Sequence, residues 1–247
     1  MKNGEFKTKI VTLVKDEREY IDEWISYHLR LGFDCIDVYE DYDASSHEDI
    51  ARKYSSAVHV KKLADKVPPY EGYWKNARRY GFLLEKLLVE DKGEFDWILC
   101  ADVDEYLMFE PGYSLNMLLR EFSRYPGIYL YWKYMSASGH IEKRRNIVES
   151  YTKPSDYNYS GAYEFKCLYN LEKSLLCLRH NHHCARYGVD TAGNIVFPDK
   201  AKPRPKYEKA WINHYFTKSW EDWLDRIYKK GNLTPNLRML HDFFSFN

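Results

Sequence analysis

The chain has 247 residues, 45% hydrophobic and 30% charged, which suits one large α/β core or two small ones and excludes a fibrous or disordered class. Its 37 basic and 37 acidic residues cancel, so no net field draws it to nucleic acid or to an anionic membrane. Five cysteines at 35, 100, 167, 177 and 184 form no Cys-x-x-Cys pair and are expected to be reduced thiols in a cytoplasmic setting, and no run approaches the roughly 18 apolar residues of a membrane span.

Residues 9–14 (KIVTLV) form a short β-rich run. Asp16 and Glu19 have the spacing of a capping box, opening a helix that runs to Leu31 with Tyr20, Ile21, Trp24, Ile25, His28 and Leu31 on one face. Gly32 stands where a left-handed C′ residue belongs. Residues 35–39 are the second strand; a polar turn, a short helix from Glu48 with Ser46 as N-cap, a strand over 58–63 and a Pro68-Pro69 break follow. Trp74, Ala77, Tyr80, Gly81, Leu84, Leu87 and Leu88 trace the third helix, and residues 95–101 (FDWILCA) read as a strand buried on both faces. Four strands alternating with three helices predict an α/β, doubly wound, mainly parallel sheet. Beyond Asp104 the pattern is mixed, with a helix over 115–124, strands near 128–134, 164–169, 175–179 and 211–216, and a last helix capped by Ser219. With no repeat or linker composition, a single domain over 1–247 with two sub-regions is the expectation.

In an open α/β sheet ligands sit outside the carboxyl ends of the strands, where strand order reverses. The fourth strand ends in Asp102-Val103-Asp104-Glu105. Carboxylates at i and i+2 of an extended segment project to one side, so Asp102 and Asp104 are expected to reach one hard divalent cation and its bridging diphosphate oxygens. The plainer alternative is an acidic turn.

ILCADVDEYL resembles the Asp-x-Asp motif of GT-A-fold nucleotide-sugar glycosyltransferases. The chain is similar to family 2 and family 92-like bacterial enzymes through VTLVKDEREYIDEWISYHLRLGFDCIDVYED, DVDEYL, YWKYMSASGH and INHYFTKSWEDWLDRI, which follow the family's order. The resemblance implies a GT-A sheet with a nucleotide-sugar-binding half over 1–110 and an acceptor-side half over 111–247. It implies transfer of a sugar from a nucleotide diphosphate donor, a UDP-sugar first, to a glycan or lipid-linked hydroxyl with inversion, in surface polysaccharide synthesis at the inner face of a membrane. Nucleic acid is not an expected partner; peripheral membrane association is. Against the family, Asn247 comes early, implying that an acceptor-binding or membrane-association tail is missing.

For the site, the resemblance makes Asp104 a direct metal ligand, Asp102 a contact to the ribose or to the metal through water, and His214 a third ligand, a set that suits Mn²⁺ or Mg²⁺. Val14, Asp16 and Glu17 correspond to a nucleobase-binding turn, although Asp16 equally serves as a helix cap. Glu40, with Asp41, closes the second strand within reach of a ribose; Asp102 and Val103 count among the donor-binding residues. Lys75, with Arg78 and Arg79, approaches phosphate or forms a solvated helix face. An inverting reaction needs a base. Glu149, Glu142 and Asp190 are candidates beside His140 and Glu164, and nothing in the sequence selects among them. Lys143-Arg144-Arg145 faces an anionic ligand or is a solvated turn. The run His180-Asn181-His182-His183-Cys184 raises a zinc alternative, but ligands so crowded lack a second pair at useful spacing. Two rival readings stand: a non-catalytic nucleotide-sugar or glycan-binding module, and, further off, a haloacid dehalogenase-type phosphatase with Asp102 as nucleophile.

Overall fold

The structure, a computed structural model, describes residues 5–42, 44–69, 75–155, 164–174, 176–177, 184–197, 204–228, 243–244 and 247. The first half alternates β1 (Thr8–Val14), α1 (Ile21–Leu31), β2 (Cys35–Glu40), a one-turn α2 (Glu48–Ala51), β3 (Val58–Lys62), α3 (Lys75–Glu90) and β4 (Trp97–Cys100). These four strands lie in the order β3-β2-β1-β4 and are all parallel. Alternation along the strands sends Ile10, Ile36, Val38, Trp97 and Leu99 to the face covered by Ile21, Trp24 and Ile25 of α1. Val11, Tyr39, Ile98 and Cys100 go to the other face, under Leu83, Leu84 and Leu87 of α3. The sheet is therefore doubly wound, as the alternation of elements predicts, and its strand order reverses between β1 and β4.

The second half adds β5 (Glu105–Phe109), α4 (Leu115–Glu121), β6 (Gly127–Tyr134), α5 (Ile147–Ser150), β7 (Phe165–Asn170), β8 (Leu176–Cys177), β9 (Cys184–Ala185), β10 (Gly188–Asp190), β11 (Ile195–Val196), β12 (Ala210–His214) and α6 (Trp220–Tyr228). β7 runs antiparallel between β4 and β6, and the path ends β6-β10-β11. β12 leaves this plane, pairing parallel with β6 and antiparallel with β5, so the sheet curls over the end of β4. The whole is a GT-A-like α/β fold. No helix among the described residues is long and apolar enough to cross a membrane.

Local signals succeed and fail for identifiable reasons. Gly32 has φ 112° and its N–H returns to the Leu29 carbonyl, as a left-handed C-cap does. Ser219 caps α6: its Oγ accepts from the Asp222 N–H at 3.1 Å, while Asp222 Oδ2 accepts from the Ser219 N–H at 3.2 Å. The Asp16 capping box does not form. Asp16 adopts φ 56°, a left-handed conformation that aspartate tolerates, and the chain spends the next residues in a turn on the Glu17 carbonyl, so α1 begins only at Ile21. Ser46 is not the N-cap of α2 either; His47 holds that position, and its N–H is taken by the Glu40 carboxylate. α4 stops at Glu121, short of the expected 124. β5 is absent from the sequence reading, because a turn at Asp102 and Asp104 separates it from the apolar run of β4.

His28 ties α1 to β5. Buried in the helix, its Nδ1 bonds the Trp24 carbonyl at 2.9 Å and its Nε2 accepts from the Leu107 N–H at 3.5 Å. Burial holds its ring down to about 3, against 6.5 in the unfolded chain. Between those values the unfolded chain binds the extra proton, so this contribution is full above about pH 6.5 and is lost as pH falls toward 3. Urea unfolding at a series of pH values is expected to lose a few kcal/mol across that window, and His28→Phe to flatten the slope. An unchanged slope in the variant would assign the acid sensitivity elsewhere.

Candidate active site

The turn after β4 lies at the reversal point between β1 and β4. Residues 101–104 are not extended: the Glu105 N–H closes a turn on the Asp102 carbonyl at 2.9 Å. The expectation that Asp102 and Asp104 project to one side is thereby corrected, because alternation holds only along a strand, and the two carboxylates point into different surroundings.

Asp102 faces the sheet. Tyr80 of α3 donates its hydroxyl to Asp102 Oδ1 at 2.7 Å and accepts the Leu13 N–H at 2.9 Å, so one phenol joins the ends of β1 and β4. Lys166 of β7 reaches Asp102 Oδ2 at 3.1 Å and Glu105 Oε2 at 3.0 Å. Glu105 is wholly buried; its Oε2 also accepts the Asp102 N–H at 2.9 Å, and its Oε1 has no hydrogen-bond partner. Burial pushes the Glu105 carboxyl up to about 8 against the pull of Lys166, whose own ammonium is raised by the two carboxylates.

Asp104 faces the curled strand. The β12 register sets His214 opposite Glu105, and His214 Nε2 lies 3.6 Å from Asp104 Oδ1. Arg226 of α6 sits 3.3 Å from Asp104 Oδ2 and is held there by donating to the Phe216 carbonyl at 2.7 Å. The imidazole packs among Trp132, Tyr134 and Phe216, with ring centroids 4.4, 5.3 and 5.6 Å away. Burial lowers it to about 4, so it is neutral at physiological pH, and its Nδ1 has no hydrogen-bond partner.

A neutral imidazole beside a carboxylate is a donor pair that a divalent cation can take, so Asp104 and His214 fit the metal expected from the sequence. Asp102 does not join them: among the described residues the one trio of Cys, His and carboxylate ligand atoms mutually within 4.8 Å is Cys35, Asp37 and His59. Two cations, Lys166 and Arg226, already lean on the acidic pair.

The other expected residues scatter. Val14 ends β1, its carbonyl taken by the Asp41 N–H at 2.9 Å. Glu40 is engaged with His47, and Asp41 with Arg79 at 2.7 Å, which removes Arg79 from a purely solvated face. Glu17 carries the turn before α1, and Val103 is buried behind the acidic turn. The side chain of Lys75 and the run 178–183 lie outside the described residues. Lys143 pairs with Glu19 at 2.7 Å and Asp225 at 2.9 Å. Glu142 and Glu149 are exposed. Asp190 is a turn former and not a base: its oxygens accept from the Ala192 and Asn194 amides at 3.0 and 2.8 Å and from the Asn194 side chain, closing the β10–β11 hairpin. It pairs beside Tyr129, five residues down β6 from the level of His214, about 17 Å by strand rise.

Sequence reasoning missed Tyr80, Lys166 and Arg226, and gave Glu105 no role at the site. Lys166 carried a signal, as the lone charge inside the apolar strand FKCLYN.

Fold and site together define a GT-A-like α/β protein with an acidic turn and a buried histidine at the reversal point of its sheet. The sequence profile of glycosyltransferase family 92 matches residues 12–241, and the chain belongs to that family. A family 92 protein of Ricinus communis is 26% identical over 228 residues, 90% of this chain and 37% of that protein. One of Oryza sativa subsp. japonica is 25% identical over 119 residues, 48% of this chain and 19% of that protein. The chain thus spans well under half the length of these relatives. Among solved structures, the 4-diphosphocytidyl-2C-methyl-D-erythritol synthase of Anaerococcus prevotii DSM 20548 overlaps at TM-score 0.36 and 12% identity, over 69% of this chain and 73% of that one.

Proposed function

We propose that this glycosyltransferase moves a sugar from a nucleotide diphosphate donor, a UDP-sugar, to a hydroxyl of a glycan or lipid-linked acceptor, with inversion, in surface polysaccharide synthesis. The observation that carries the reading is the pairing of Asp104 with a neutral His214 at the reversal point of the sheet. Bound there with Asp102 nearby, Mn²⁺ or Mg²⁺ would neutralise the departing diphosphate. The protein's own groups do the rest. Lys166 and Arg226, 19% and 28% exposed, place two positive charges beside Asp102 and Asp104 where phosphate oxygens would enter. Tyr80 holds Asp102 in place across the crevice. Glu142 and Glu149, both exposed, are carboxylates open to an acceptor hydroxyl. The five cysteines, none of them in a Cys-x-x-Cys pair, support a reducing, cytoplasmic setting, and we assign the protein to the inner face of a membrane.

UDP at about 100 times its dissociation constant is expected to stabilise the protein by about 2.7 kcal/mol when Mn²⁺ is present and by much less in EDTA, read as a melting shift. Equal shifts would remove the metal from donor binding. Supplied with UDP-, GDP- and TDP-sugars, the protein should slowly release nucleoside diphosphate to water, and it should leave phosphate monoesters intact. Monoester turnover with a phosphorylated Asp102 would favour the phosphatase, and silence on every donor a binding module.

A further inference from the structure

A second cluster lies away from the acidic turn. Cys35 and Asp37 occupy alternate positions of β2 and so project to the same face, and the parallel register sets His59 of β3 directly beside Asp37. Cys35 Sγ is 3.5 Å from His59 Nδ1, and Asp37 Oδ1 is 3.3 Å from the same nitrogen. Zn–S bonds of about 2.3 Å and Zn–N or Zn–O bonds of about 2.0–2.1 Å, at tetrahedral angles, separate ligand atoms by about 3.3–3.6 Å. The third edge, Cys35 Sγ to Asp37 Oδ1 at 4.0 Å, closes with a small rotation of the carboxylate about its broad terminal torsion.

We propose that Cys35, Asp37 and His59 form a zinc site on the β2–β3 edge of the sheet, independent of the transfer reaction. The two oxygens of Asp37 are divided between tasks. Oδ2 takes Lys9 at 3.1 Å and Lys61 at 2.7 Å, which fixes the carboxylate, while Oδ1 turns to the thiol and the imidazole. Such orientation of a ligand by outer groups is usual in metal sites. Thiolate, imidazole and one carboxylate form a set soft enough to prefer zinc to Mg²⁺ or Mn²⁺.

The charges permit it. Lys9 and Lys61 are offset by Asp37 and by Asp91, which lies 2.8 Å from Lys9. As the Zn–S bond forms, Cys35 releases its thiol proton to solvent, so a dication raises the local charge by one. The half-exposed His59 ring, 47% accessible, gives the ion a route in and leaves a fourth position to water. Two and three strands from β4, the site is about 10 and 14 Å across the sheet from the acidic turn's strand. An ion there would staple β2 to the edge strand β3.

The test is metal analysis and Co²⁺ substitution of the full chain in an Asp104→Ala background, which removes the active-site ligand. The expected result is about one retained equivalent of Zn²⁺ per chain and a thiolate-to-cobalt charge-transfer band, both lost in Cys35→Ser. His59→Ala, on the exposed edge, should keep the circular dichroism spectrum and weaken zinc by more than the roughly 100-fold that loss of an outer-shell partner costs. Zinc-free protein that gives no band with Co²⁺, a band that survives Cys35→Ser, or undiminished affinity in His59→Ala would each overturn the proposal and leave a hydrogen-bonded trio.

Discussion

Asp104→Ala is expected to cut metal-dependent release of nucleoside diphosphate from a UDP-sugar by about 10³-fold or more while the protein melts within a few degrees of the parent. The activity loss follows from position. Asp104 is the carboxylate facing neutral His214 at 3.6 Å, so under the proposed function its removal would leave one protein ligand for the divalent ion that neutralises the departing diphosphate. The fold is expected to survive because alanine keeps the backbone bond from the Tyr215 N–H to the residue-104 carbonyl, 2.8 Å in the parent, and what is lost is the side-chain pairing with Arg226. Arg226 likewise retains the Phe216 carbonyl at 2.7 Å. Kinetics with a UDP-sugar and a thermal melt on the same preparation decide the matter. An unfolded variant would make Asp104 structural, and full activity would make it irrelevant.

Lys166→Met should be the most destabilising single change at the site, costing about 3–5 kcal/mol at about pH 9. Lys166 is the countercharge of Glu105, a carboxylate with no solvent exposure whose Oε1 already lacks a partner. The loss has a pH signature. Burial drives Glu105 up to about 8, so below that value the folded protein keeps it protonated and needs the ammonium less. Above it the variant must either bury an unpaired charge or take up a proton against the solvent. Urea unfolding should therefore give a penalty about 1.4 kcal/mol larger at about pH 9 than at about pH 6, the span of one pH unit above the Glu105 value, and Lys166→Met with Glu105→Gln should remove that difference. Equal penalties at both values, with no recovery in the double variant, would mean that Lys166 acts through its ammonium over the Trp132 and Tyr80 rings and not as the countercharge of Glu105.

The order of elements in the first half was legible because each signal there is local. Alternation in residues 9–14, the helical spacing of Ile21, Trp24, Ile25 and His28, and the glycine after Leu31 all act within a turn or two of chain, and four strands interleaved with helices admit few arrangements other than a parallel, doubly wound sheet. The acidic turn and His214 were legible as chemistry, since both stand in segments that match their family. Tertiary structure alone decided how these groups are used. Asp102 meets Lys166 across 64 positions and Asp104 meets Arg226 across 122, and pairings at such separations leave no periodic trace in either segment. The same holds for the curl of β12 onto β5, which sets His214 beside Asp104, and for the burial that keeps its ring neutral. Local spacing states which residues share a face of one element; which faces meet, and how much water remains between them, is set by the packing of the whole chain.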